Sequence, residues 1–213
     1  MSSELKTNKI SPATGTALTL ADSGDTLTLP SGATLDIASG ATIDATGATI
    51  TGWPAAVDNT PSFQAYLSSN QTISDNVWTQ INPDTEDFDT DSAYDNSTNY
   101  RFTVPSGEGG KYFIYFCGVL VSSGGSSQVL ADHDIQIRVN TETDSTARIS
   151  TTNNVYGGAS MYSTKVEGIA TLSAGDYVEF YARSNVSSGY NSYFAGGSNL
   201  RNTVVGAYKL IGV

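Results

Sequence analysis

The sequence predicts an all-β protein: a repetitive N-terminal β stalk followed by a β-sandwich or jelly roll. Three observations lead there. The 213 residues are 38% hydrophobic and only 15% charged, with 21 Gly, and Ser, Thr and Asn fill the gap. Such side chains compete with a helical backbone for hydrogen bonds and favour strands and turns. A short unit recurs through the first 52 residues. From residue 61 onward, aromatic residues appear and apolar and polar positions alternate, the period of a strand.

The repeat reads Gly24-Asp25-Thr26-Leu27-Thr28-Leu29, Gly32-Ala33-Thr34-Leu35-Asp36-Ile37, Gly40-Ala41-Thr42-Ile43-Asp44-Ala45 and Gly47-Ala48-Thr49-Ile50-Thr51, with glycines spaced 8, 8 and 7 apart. The alternation predicts strands, and the Ser-Gly and Thr-Gly pairs predict turns. Each unit offers one or two aliphatic side chains. A single ribbon cannot make a core from Leu27, Leu29, Leu35, Ile37, Ile43 and Ile50. Three intertwined chains can bury them along a shared axis, because short units that cannot cover their own faces must stack or associate. A Gly/Thr/Ala linker without structure is the other reading of this stretch. The expected organisation is an attachment segment at 1–19, a stalk at 20–52, a linker at 53–60 around Trp53-Pro54, and a head at 61–213.

In the head, strands are expected at 62–67, 76–81, 100–104, 111–121, 134–139, 166–172, 177–182 and 203–213. The run Lys111 to Val121 (KYFIYFCGVLV) is continuously apolar, so it predicts a central strand covered on both faces. Ser106-Gly107-Glu108-Gly109-Gly110 and Ser173-Ala174-Gly175-Asp176 are turns. No capped amphipathic helix is seen. Eight or more strands in this length indicate a sandwich or jelly roll.

The net charge is −11, and no Lys or Arg lies between Lys9 and Arg101, where twelve Asp or Glu occur. Such a surface repels phosphate, which argues against nucleic acid and anionic membranes as partners. No apolar run approaches the roughly 20 residues of a membrane helix. MSSELKTNKI lacks the apolar core of a signal peptide, so production and use without Sec export are expected.

Candidate chemistry is sparse. One Cys and one His hold neither an internal disulfide nor a zinc site. His133, between Asp132 and Asp134, reads as a surface or strand-edge residue, and no nucleophile elbow accompanies it. Cys117 reads as a buried structural thiol. No enzyme is expected. Six carboxylates lie between Asp84 and Asp95. They read as a solvated acidic loop, or as a calcium site using Asp87, Asp89 and Asp91, since calcium takes six to eight oxygens. Three loops at 122–128, 153–163 and 184–202 are rich in Gly, Ser, Asn and Tyr. They carry Tyr156, Tyr162, Tyr190 and Tyr193. That vocabulary suits adaptable receptor-binding surfaces, because Tyr gives contact area at low entropic cost. Ordinary variable loops, with Tyr packed on the sheet, are the alternative.

Four stretches of the head resemble the complement globular-head and tumour-necrosis-factor-like jelly-roll superfamily. Pro61-Ser62-Phe63-Gln64-Ala65 is similar to its opening strand. Asn99-Tyr100-Arg101-Phe102-Thr103-Val104-Pro105 with Gly109-Gly110-Lys111-Tyr112-Phe113-Ile114-Tyr115-Phe116 is similar to its F-x-v-P-x-x-G-x-Y-x-F signature. Leu172-Ser173-Ala174-Gly175-Asp176-Tyr177-Val178 is similar to its L-x-x-G-D-x-V hairpin. Tyr193-Phe194-Ala195-Gly196-Gly197, with Gly206-Ala207-Tyr208-Lys209-Leu210, is similar to its closing strand. The resemblance implies a ten-stranded jelly roll that trimerises through a broad sheet face.

The N-terminal LKTNKISPATGTALTL and the repeats after it resemble the stalk or attachment region of bacteriophage tail fibres and other virion proteins, including marine and cyanobacterial ones. This second resemblance implies a homotrimeric tail fibre. Its N-terminus would contact other virion proteins, and its head would bind a host-surface saccharide or protein. A capsid decoration protein with the same trimeric jelly roll is the alternative. A depolymerase is disfavoured, because paired carboxylates in a long β-helix groove are absent.

Overall fold

The computed structural model describes residues 14, 26, 28–29, 31–42, 58–124, 129–154, 159–199 and 201–211. The chain divides into two units, Met1–Trp53 and Pro54–Val213.

In the first unit, turns at Ser31-Gly32 and Ser39-Gly40 stand eight residues apart. Both glycines have left-handed φ, +85° and +86°, a conformation that disfavours any Cβ. The Ala41 amide closes the second turn on the Ala38 carbonyl at 3.0 Å. The strands expected between these turns are not formed among the described residues. A lone ribbon has no neighbour to pair with, and Leu29, Leu35 and Ile37 are 52%, 64% and 41% exposed. Leu27, Ile43 and Ile50 lie outside the described residues.

The second unit is built of antiparallel strands. In chain order they are β1 (Ser62–Tyr66), β2 (Gln71–Ile73), β3 (Thr79–Gln80), β4 (Thr85–Asp89), β5 (Tyr94–Asp95), β6 (Arg101–Thr103) and β7 (Gly110–Ser122). Then come β8 (Leu130–Val139), β9 (Ile149–Asn154), β10 (Met161–Leu172), β11 (Tyr177–Val186), β12 (Ser192–Phe194) and β13 (Val204–Lys209). One sheet runs β10-β7-β13-β1-β4, with β12 and then β2 beside the far half of β7. The other runs β5-β6-β11-β8-β9, with β3 against β11. The connections β6–β7, β7–β8, β9–β10 and β10–β11 each cross between sheets. The second unit is therefore a jelly-roll β-sandwich.

The core follows from alternation. Tyr112, Ile114, Phe116 and Leu120 of β7 point inward and are buried. Phe63 stacks on Tyr94 at 4.5 Å and on Phe102 at 5.1 Å, joining the two sheets. Phe116 meets Phe194 at 5.3 Å and Phe180 at 6.1 Å. Each such side chain stabilises by about 1.5–3 kcal/mol on burial. Gly118 leaves the room Phe194 needs: a Cβ there would stand 2.6 Å from its ring.

Three expectations change. β7 is covered on one face only; Phe113, Tyr115, Cys117, Val119 and Val121 on the other are half-buried. An apolar run cannot tell two covered faces from one. The acidic segment contains a strand, β4, because its backbone pairs with β1; its charged side chains are half-buried and Phe88 is exposed on this edge. The segment 76–81 contributes only the two-residue β3, as Asn76 turns with φ +58°.

Candidate functional site

β7 fixes the two ends of the sandwich. β13 pairs Tyr208 with Phe113, and β1 pairs Ser62 with Tyr208. The chain therefore enters the head level with the start of β7. The loops after β7, before β10 and after β11 lie at its other end, about 30 Å away at roughly 3.3 Å per residue.

Backbone bonds stitch those loops together. The Ser122 amide donates to the Ser160 carbonyl at 2.8 Å, and the Ser123 amide to Asn191 at 3.0 Å. The Leu130 amide donates to Ala159 at 3.0 Å and the Ser187 amide to Val129 at 2.9 Å. Asp75 braces the cluster: its carboxylate accepts the Val186 amide at 2.8 Å, and its amide donates to Asn191 Oδ1 at 3.2 Å. Beneath lies a small polar layer in which the Ser184 and Ser192 hydroxyls share a hydrogen bond at 2.5 Å.

The predicted tyrosines divide. Tyr190 is 47% exposed at this end. Tyr193, half-buried on β12, alternates with the buried Ser192 and Phe194 and so faces outward. Tyr162 turns inward, its ring 4.9 Å from His133 and packed against the core. Tyr156 lies outside the described residues.

His133 is not at the surface. It is fully buried, and neither ring nitrogen has a hydrogen-bond partner. β8 begins at Leu130, so His133 falls in phase with the inward Ile135 and Ile137. Burial pushes its pKa down, outweighing the carboxylates of Asp134 and Asp132. An imidazole without partners or access lacks the geometry of a general base.

Cys117 is half-buried on the outer face of β7 rather than in the core. It lines a depression of about 320 Å³ with Val119, Ser163, Lys165 and Asn202. Burial raises its pKa despite Lys165, so the thiolate is disfavoured.

The acidic residues Asp87, Asp89 and Asp91 take different partners. Asp87 accepts from Gln64 at 2.7 Å and pairs with Arg201 at 2.6 Å. Asp89 accepts the Tyr94 amide at 2.8 Å, and Asp91 the Thr90 hydroxyl at 2.6 Å. Among the described residues, no three His, Cys, Asp or Glu side chains converge as a metal would require.

The resemblance implied a broad sheet face without naming its residues, and a second surface escaped sequence reasoning. The outer face of the β10-β7-β13 sheet joins Phe113 to Tyr208 at 5.4 Å and to Tyr115 at 6.3 Å. Met161 and Ile169, both 60% exposed, lie on it. Tyr115 donates to Gln64 at 2.7 Å, and burial pushes its phenol up to about 12. On the other sheet, Arg138 lies over Tyr181 at 4.0 Å and Trp78 at 4.9 Å. Arg183 there pairs with the buried Asp134. Outward positions of strands bear both surfaces, and their partners come from distant segments.

No protein-family model matches this chain. No curated protein matches it either. Among solved structures, it is similar to the globular domain of zebrafish complement 1qA protein, at 14% identity and a TM-score of 0.45, over 71% of this chain and 98% of that one. It is similar to murine APRIL at 15% identity and a TM-score of 0.48, over 70% and 99%. Eiger TNF from S. frugiperda is similar at 11% identity and a TM-score of 0.44, over 71% and 93%. The jelly-roll assignment rests on the strand order given above.

Proposed function

We propose that this chain is a homotrimeric attachment protein of a bacteriophage particle, a tail fibre whose jelly-roll head binds the host surface. One observation carries the reading: the chain enters the head at one end, and the stitched loops with Tyr190 stand at the other. A head arranged so presents its loops away from whatever its N-terminal side is fixed to. Two further features support association. The outer face of the β10-β7-β13 sheet is aromatic and bears exposed Ile169 and Met161. Leu29, Leu35 and Ile37 of the repeats are exposed in a single chain. Three equal heads gain avidity from weak single contacts, and the Tyr, Ser, Gly and Asn of the loops suit a saccharide or protein receptor.

The test has two arms. Light scattering on the full chain is expected to give three copies; a monomer at micromolar concentration overturns the trimer. Antibody-gold labelling of purified particles is expected at the tail. Label spread over the capsid makes the protein a capsid decoration protein, and no label on any particle removes the virion assignment.

A further inference from the structure

We propose that the loop end of the head is an acid-released clasp, opened by a proton taken up on His133, the single histidine of the chain. The opening is a property of the head alone; its effect on host binding rests on the attachment role proposed above. His133 is the fourth residue of β8 and lies just beneath the loops. Its side chain is fully buried, and both ring nitrogens are without partners. An imidazole held in such a place stays neutral, because a buried charge without a partner is costly.

Uncharged groups surround it. On β11 it faces Ser184, whose hydroxyl is bonded to Ser192 at 2.5 Å. On β10 the Tyr162 ring lies 4.9 Å away. On β9 it pairs with Asn153, and β7 turns the buried Leu120 and Ser122 inward at this end. Asp75 of the loop cluster gives its carboxylate to the Val186 amide at 2.8 Å. Asp132 and Asp134 flank His133 on β8 but project from the opposite face of the strand. There Asp134 pairs with Arg183, and Asp132 accepts from Asn185 at 2.9 Å. Among the described residues these two carboxylates are the charges that act on the imidazole. Burial outweighs them and holds its pKa below the ordinary 6.5.

The fold gives the imidazole a short way to water. The pairing of β8 with β11 runs in step from Val139 to Asp132 and then slips, leaving Ala131 out of the ladder before Leu130. Pairing is locally interrupted at such a bulge. Beyond it, the Leu130 amide holds the Ala159 carbonyl at 3.0 Å and the Ser187 amide the Val129 carbonyl at 2.9 Å. The Val129 amide donates to the Ser187 hydroxyl at 3.0 Å, and β9 adds its pairs at Asp132 and His133. Releasing these bonds exposes His133 while Ile135, Ile137 and Val139 stay in the core. A local opening of this kind needs less free energy than unfolding the sandwich.

The direction of the effect follows from linkage. In the open form the imidazole regains its ordinary pKa, so below about pH 6.5 the open form binds one more proton than the closed form. Opening then rises about tenfold per pH unit until the closed-form value is reached. Ser187 and Tyr190 share the segment after β11, so the opening reshapes the surface that carries Tyr190. A grip made at neutral pH loosens in acid.

Two measurements on the full chain test the clasp. Hydrogen exchange, corrected for the intrinsic pH dependence of amide exchange, is expected to show protection at 129–133 and 186–190 falling about tenfold per pH unit below pH 6.5. Protection at 112–117 and 204–208 is expected to hold, and His133→Leu to abolish the fall. NMR of the single imidazole, which needs no variant, is expected to give an apparent pKa below 6.5. The clasp is overturned by constant protection between pH 7.5 and pH 5, by an equal fall in every strand, by the same fall in His133→Leu, or by an imidazole titrating at 6.5 or above. Host adsorption at the same pH values tests the consequence separately. Adsorption that holds while the loop end opens removes the loops from attachment and leaves the clasp standing.

Discussion

The His133 ring lies 4.9 Å from the Tyr162 ring, centroid to centroid, and neither imidazole nitrogen meets a hydrogen-bond partner. Burial lowers its pKa below the ordinary 6.5. The unfolded chain therefore binds a proton more readily than the folded one. Stability from this group is complete above about pH 6.5 and is lost as pH falls below that value. Thermal melts are expected to show a drop between pH 7 and pH 5 that His133→Leu flattens, at about 2–4 °C per kcal/mol for a chain of this size. Parallel melting curves for both proteins would refute it.

Ile169→Glu places a charge on the outer face of β10 without touching the core, as Ile169 is 60% exposed. The isolated fold should change by no more than about 0.5 kcal/mol. Sedimentation should show dissociation of the assembled form. An unchanged oligomer would locate self-association elsewhere.

Gly196→Ala is expected to be costly. A Cβ there would run into the Ser69 carbonyl, with the Leu67 carbonyl 2.8 Å away. Backbone cannot swing aside as a side-chain tip does, so a loss of about 1–3 kcal/mol follows. Denaturant melts report it directly, and a midpoint equal to that of the parent would contradict the packing described.

Much of the fold was legible in the sequence, and the misses have physical causes. Alternation marked β8 and β11, and the Ser173 to Asp176 turn marked the connection that crosses from β10 to β11. β4 was hidden because an edge strand can pair by backbone alone while its side chains remain acidic. His133 was misplaced because the strand begins earlier than its clear alternation: extended back to Leu130, β8 sets His133 in phase with the inward Ile135 and Ile137.

Tyr190→Ala should leave the assembly and its melting temperature unchanged, because the side chain is 47% exposed and outside the core. In the proposed trimeric fibre, host adsorption is expected to fall several-fold, more steeply than for one site, since avidity would multiply the loss across three heads. Adsorption equal to that of the parent would remove this residue from the contact surface.

The loops at the far end are joined mostly by main-chain groups, between Ser122 and Ser160, Ser123 and Asn191, Leu130 and Ala159, and Ser187 and Val129. Main-chain bonds do not depend on which side chain a residue carries. The tip can therefore exchange its outward side chains through substitution after substitution while the frame beneath keeps its shape. Under the attachment role proposed above, a lineage whose targets keep changing alters what this surface recognises without having to solve its folding again.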